Sequence, residues 1–164
     1  MAERGRYVYE WPRPMVTTDA VVFALVQGKV SVLLVERGRD PYKGRWAIPG
    51  GFVELDEQLE DAARRELQEE TGLTGVPLEQ MHTFGDIGRD PRGRQITIVF
   101  MGILLEEQPQ PKAGDDAAKA RWFDIRNLPG NIAFDHSDVL AFAIGKLKRR
   151  KAYRLHIKPY EQGH

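Results

Sequence analysis

The stretch that most constrains the fold runs from Asp56 to Gly72, DEQLEDAARRELQEETG. It predicts a helix over Asp56 to Thr71, with Asp56 as N-cap, acids in the first turn and Gly72 as the C′ residue. With about 100° per residue and Leu59 as zero, Ala62 lies at about −60°, Ala63 at about +40° and Leu67 at about +80°, which makes a core stripe. On the same wheel Glu66 lies at about −20°, Glu70 at about +20° and Glu69 at about −80°, so the three glutamates continue the apolar face. Glu57, Asp61, Arg64 and Arg65 cluster on the opposite side.

That placement is costly. Carboxylates in a last turn meet the negative end of the helix dipole, at about 0.3–1 kcal/mol each. Glu66 and Glu70 also form a like-charge pair four residues apart, and burial adds to both penalties. A divalent cation relieves them. The chain has no cysteine, so thiolate metal sites and disulfides are excluded. Oxygen-only ligands favour Mg²⁺, Mn²⁺ or Ca²⁺ over zinc. Upstream, Gly50-Gly51 permits close backbone approach, so the glycine turn can face the carboxylates. Such a site accepts diphosphate oxygens and lowers the pKa of a bound water. The alternative is a solvated, acid-rich helix end.

Around this helix the chain alternates strand-like and turn-like pieces. Thr17–Val26 and Lys29–Val35 read as strands joined at Gln27-Gly28. Arg37 to Gly44 is turn chemistry, and Trp46 to Gly51, WAIPGG, is a short apolar piece ending in a break. Leu78–Asp86, Gln95–Leu105 and Ala120–Ile125 are further strands, Arg89–Arg94 and Gln108–Asp116 are loops, and Ser137–Lys151 is a second helix. With 164 residues and no internal repeat or long linker, a single domain over 1–164 is expected, α/β in class and layered around one mixed sheet. Lys+Arg and Asp+Glu both number 24, so bulk charge argues neither for nor against nucleic acid. The N-terminus lacks a signal-peptide core, and no apolar run is long enough to span a bilayer. The expectation is a cytoplasmic protein with no membrane or nucleic-acid partner.

The residues Gly51, Glu57, Arg65-Glu66-Leu67, Glu69-Glu70 and Gly72-Leu73, at their spacing, resemble the Nudix box in every defined position. The WAIPGG lead-in is similar to the usual approach to that box. The resemblance implies an α/β/α sandwich and Mg²⁺- or Mn²⁺-dependent hydrolysis of a nucleoside diphosphate linked to a further group. By position it implies Glu66, Glu69 and Glu70 as metal ligands, with the Gly51 carbonyl as a further ligand. Arg65 would be an orienting residue and Glu57 a supporting or outer one, reaching the site from the start of the helix.

The box names the chemistry and leaves the substrate open. Arg89-Asp90-Pro91-Arg92-Gly93-Arg94, with WPRPMVTTDAVVF, AGDDAAKARWFDI and AFDHSDVL, resembles the Nudix group that includes ADP-ribose pyrophosphatases. ADP-ribose giving AMP and ribose 5-phosphate is therefore the expected reaction. Alternatives are a nucleoside triphosphate or dinucleoside polyphosphate hydrolase, or a ligand-sensing domain of the kind found in regulators. A sensor is expected to carry an eroded box and an added DNA-binding domain; here the box is intact and Ala152 to His164 follows the last helix.

Arg89, Asp90, Arg92 and Arg94 suit phosphate or ribose hydroxyls, against a plain hairpin turn. Asp115 or Asp116 could act as the base on the attacking water, as the resemblance suggests, with Glu69 as the fallback. His136 could touch a base or ribose, although Asp135 or Ser137 could simply cap the helix there. Arg45 and Trp46 flank the glycine turn, and Trp46 is either core or a stacking platform. The basic run Lys146 to Lys151 suits a helix C-terminus. Residues 1–15 form an extension that could lie at a homodimer interface.

Overall fold

The computed structural model describes residues 8–107, 111–112 and 117–150. Seven strands and two helices follow in the order β1 (Met15–Val26), β2 (Lys29–Arg37), β3 (Trp46–Ala47), β4 (Gly50–Phe52), α1 (Leu59–Thr71), β5 (Leu78–Phe84), β6 (Gln95–Glu107), β7 (Ala117–Asp124) and α2 (His136–Arg149). The sheet is mixed. Its main path is β3-β2-β1-β6-β5, with β4 on β1 and β7 on β2. The β1–β6 pair is parallel and the remaining pairs are antiparallel.

β1 is buried on both faces, which explains its nearly continuous apolar run. Val21 and Phe23 join Val32, Leu34 and Val99 under Val139, Leu140, Ala143 and Leu147 of α2. Ala20, Val22 and Ala24 face the other way, with Leu33 and Phe100, onto Ala63 and Leu67 of α1. One helix on each face gives the α/β/α sandwich. The Gln27-Gly28 turn closes the β1–β2 hairpin, with Val26 opposite Lys29. Both turn residues have positive φ, 49° and 72°, as a two-residue hairpin loop of this twist requires.

β1 and β2 pair with each other only over Phe23–Val26 and Val32–Lys29. Beyond that they diverge. The first part of β1 takes β4, with Thr18 opposite Gly51 and Asp19 opposite Gly50, while the end of β2 takes β3. The WAIPGG piece thus fills the fork between the two strands, and the end of α1 lies over it.

Several expected boundaries shift. α1 starts at Leu59 with Gln58 as N-cap, and no side chain caps it. Asp56 is therefore not the cap. The C-terminal expectation holds: Gly72 is left-handed at φ 73° and its N–H donates to Gln68 O. Leu59, taken as the centre of the core stripe, is 37% exposed. The buried residues of α1 are Ala62, Ala63, Leu67 and Thr71, so the true core direction lies nearer +60° on the wheel, roughly between Ala63 and Leu67. Residues 1–7 of the extension lie outside the described residues; Val8 to Pro14 are exposed.

Candidate active site

The corrected wheel orders the glutamates. Glu70 is about 40° from the core direction, Glu66 about 80° and Glu69 about 140°. Burial follows that order: Glu70 is deepest, the Glu66 side chain is 15% exposed and that of Glu69 is 59% exposed. The inward set is thus a pair, with Glu69 at its rim. The last turn of α1 holds no basic residue.

The pair faces the glycine turn. Glu70 Oε2 accepts from Gly50 N at 3.1 Å. A Cβ on Gly51 would overlap the Glu66 carboxylate, so glycine is required here for close approach. Burial pushes the Glu70 carboxyl up to about 8; Glu66 and Asp19 add to this, while the Gly50 N–H and Arg37 oppose it. Burial also raises Glu66, against the pull of Arg65. Asp19 lies on β1 directly opposite Gly50. It is buried, and Thr97 Oγ1 donates to its Oδ2 at 2.5 Å.

Arg65 is more central than the wheel suggests. Its Nη1 lies 2.7 Å from Glu66 Oε1 and 3.4 Å from Glu69 Oε2. Its Nη2 lies 2.6 Å from Glu57 Oε1 and donates to Phe52 O at 3.1 Å. A wheel tracks Cα directions, whereas a long guanidinium side chain reaches around the cylinder. Glu57 precedes the helix, so no wheel position applies to it. Arg65 holds Glu57 below its ordinary pKa, and Glu57 in turn raises Arg65. Arg65 thereby ties together Phe52 after the glycine turn, Glu57 in the loop and Glu66 on the helix.

Among the described residues no three Asp, Glu or His side chains converge on one point as they stand; one Glu66 oxygen is instead taken by Arg65. The donor set still fits a hard divalent cation. It offers oxygen atoms only, one buried carboxylate whose pKa reaches about 8, and a glycine backbone that no Cβ shields.

The RDPRGR loop divides its arginines. Arg89 is 4% exposed and clamps Asp135 with two bonds, at 2.9 and 2.7 Å. Asp135 thus spends its carboxylate on Arg89 and makes no cap bond, although it is the N-cap of α2 by position. Asp90 is buried, which opposes its charge, but two bonds from the Arg92 side chain and one from the Arg92 N–H hold its pKa below the ordinary value. Arg94 donates to the Gly85 carbonyl.

His136 is 5% exposed. Its Nδ1 accepts from Ile48 N at 3.0 Å and its Nε2 lies 4.0 Å from Asp19 Oδ1. Burial lowers its pKa against the pull of Asp19, so it is neutral and pins the glycine-turn lead-in from behind. Trp46 is 8% exposed and packs edge-on against Phe123 at 4.7 Å, in the core. Arg45 is exposed, over the Tyr42 ring. Asp115 and Asp116 lie outside the described residues; beside them, Lys112 N donates to Thr71 O at 3.1 Å and Ala117 pairs with Arg37. Sequence reasoning missed Asp19, Arg37 and Phe134, none of which has a local signal; only the β1–β4 pairing and the packing of the loops bring them here.

A family model described as the NUDIX domain matches residues 15–142. The chain belongs to the NUDIX family. An ADP-ribose pyrophosphatase of Methanocaldococcus jannaschii is 42% identical to this Nudix chain over 127 residues, 77% of this chain and 71% of the relative. The ADPR responsive transcriptional repressor NtrR of Acinetobacter baylyi is 34% identical over 147 residues, 88% of this chain. The chain spans 58% of that repressor's length. Among solved structures, the NUDIX domain of Shewanella oneidensis NrtR complexed with ADP ribose superposes with a TM-score of 0.76 at 29% identity, covering 84% of this chain and 90% of that one. No helix among the described residues is long and apolar enough to cross a membrane.

Proposed function

We propose that this Nudix chain hydrolyses the diphosphate of ADP-ribose, giving AMP and ribose 5-phosphate, in a metal-dependent reaction. The observation that carries this is the pair of inward-turned, partly buried carboxylates, Glu66 and Glu70, pressed against Gly50-Gly51 at a helix end with no basic residue. Glu66, Glu70 and the Gly51 carbonyl would hold Mg²⁺ or Mn²⁺, with Glu69 and Glu57 in support. When bound, the ion supplies positive charge for phosphate oxygens and lowers the pKa of a bound water. Arg65 keeps Glu66 aimed at the glycine turn. Asp116 or Asp115, or else Glu69, takes a proton from the attacking water. The water oxygen bonds to one phosphorus, the bridging P–O bond breaks, and the other phosphate leaves.

The ADP-ribose choice is supported by the two relatives and the ADP-ribose complex described above. Those relatives also favour a second reading, in which the domain senses ADP-ribose without cutting it, because the repressor matches 88% of this chain. Turnover separates the two. With Mg²⁺ and a panel of ADP-ribose, NADH, diadenosine polyphosphates and nucleoside triphosphates, AMP release from ADP-ribose is expected to exceed all other turnover. Binding of ADP-ribose with no turnover would favour the sensor. Faster cleavage of a triphosphate would overturn the substrate choice.

A further inference from the structure

We infer that Arg89 and Asp135 are positioning residues: their ion pair fixes the RDPRGR loop and the glycine turn relative to each other, acting through His136. The inference rests on the reading above that the glycine turn and the glutamate pair form the reacting centre.

The lead-in to the glycine turn is held by the segment before α2. Trp46 N donates to Asn131 O at 3.1 Å, and Ala133 N donates to Trp46 O at 2.8 Å. Two residues on, a side chain takes over, and Ile48 N donates to His136 Nδ1 at 3.0 Å. With Nδ1 accepting, the neutral ring carries its proton on Nε2, which faces Asp19 Oδ1 at 4.0 Å. Further along, Ala20 N donates to Pro49 O at 2.8 Å and Gly50 N donates to Glu70. Each residue from Ile48 to Gly50 is therefore hydrogen-bonded, and the bond at Ile48 depends on where His136 points.

His136 is aimed by its neighbours. Phe134 has φ 54°, a region that bulky side chains avoid, and strain of this kind persists where the surroundings over-determine it. Just after that reversal, Asp135 and His136 go to different partners. Asp135 takes both bonds from Arg89, whose side chain is 4% exposed, while His136 takes Ile48. A carboxylate at an N-cap position ordinarily accepts from the first free N–H groups of its helix. Asp135 accepts none of them. It gives up a stabilising cap for a clamp on the RDPRGR loop, and a bidentate clamp fixes angle as well as distance.

The same loop meets the other end of the glycine turn. Asp90, next to Arg89, is buried and holds Arg92 with two side-chain bonds. The Arg92 guanidinium lies 5.3 Å from the centroid of the Phe52 ring, directly after Gly51. The loop is thus tied to the turn twice, at Phe52 through Arg92 and at Ile48 through Arg89, Asp135 and His136. A buried ion pair that only stabilises is replaceable by uncharged groups of similar volume. A pair that positions is not, and this difference can be measured.

The test uses Arg89→Met, Asp135→Asn, the double variant of both, and Arg89→Lys. The readouts are melting temperature, hydrogen exchange at Ile48 N–H, and steady-state kinetics on ADP-ribose with Mg²⁺. Each of the first two variants leaves a partner unpaired and should melt lower than wild type, whereas the double removes both charges and should recover most of that loss. In the double variant, Ile48 exchange is expected to quicken about 10-fold or more, with exchange at Val22 in the middle of β1 as in wild type. Its kcat is expected to fall about 10- to 100-fold, with a smaller change in KM. Arg89→Lys keeps the charge and loses the fork, and should lie between wild type and the double variant in both readouts. Wild-type Ile48 exchange in Arg89→Lys and the double variant, whatever their turnover, would make the pair a structural salt bridge and overturn the inference. Faster Ile48 exchange in variants of a chain whose wild type shows no turnover would uphold the coupling and sink the hydrolase reading.

Discussion

Glu70→Gln is expected to abolish most turnover, by on the order of 10²-fold or more, while making the metal-free protein more stable. The loss follows from removing a carboxylate that faces the glycine turn and would share the bound cation. The gain follows from its proton balance. The Glu70 carboxyl reaches about 8 in the folded chain, raised by burial and by Glu66 and Asp19. In the unfolded chain it returns to the ordinary range of about 4.3. Between those values the folded state holds a proton that the unfolded state has released, so stability falls as pH rises and levels off above about 8. The glutamine removes that slope and still offers an oxygen to Gly50 N. At pH 7–8 the variant should be more stable by on the order of 1–3 kcal/mol without metal, measured by urea unfolding in EDTA. A variant less stable than wild type under those conditions would show that Glu70 is a structural anchor rather than a strained ligand.

Gly50→Ala is expected to produce the largest loss of stability. A Cβ there would overlap Thr18 O and Asp19 Oδ1 and come within 2.8 Å of Asp19 Cα. Two of those three atoms are backbone of β1, at the centre of the sheet, and cannot move aside. A cost of about 2–4 kcal/mol, seen as a drop in urea midpoint, is expected from overpacking of this kind. Gly51→Ala meets the end of a side chain instead, the Glu66 carboxylate, which can swing away. It should cost less stability than Gly50→Ala but displace Glu66 and lower turnover. Equal stability of Gly50→Ala and wild type would mean that β4 is not held against β1 as described.

These effects mark what was legible in the sequence. The end of α1 was legible because helix periodicity, Gly72 and the spacing of the glutamates are all local. The β1–β2 turn and the glycine turn were legible for the same reason. The wheel erred where it assumed its own zero: Leu59 sits at the exposed start of the helix, so Glu69 was turned inward and Arg65 outward. His136 and Trp46 stay open in the sequence between a ligand contact and a structural place, because a flanking position gives no burial; packing puts both in the core. Asp19, Arg37 and Phe134 carried no signal, since their roles depend on a strand fork and on two loops meeting.

In the proposed reaction, Glu66 and Glu70 form a divalent-cation site against the glycine turn. Mn²⁺ titration of wild type and Glu70→Gln, followed by electron paramagnetic resonance from pH 6 to 9, tests it most directly. Wild-type affinity should rise as pH approaches and passes about 8, because the ion must displace the Glu70 proton, and the variant should bind at least ~10-fold more weakly with little of that pH dependence. Equal Mn²⁺ affinity in the two proteins across that range would mean that Glu70 does not hold the cation.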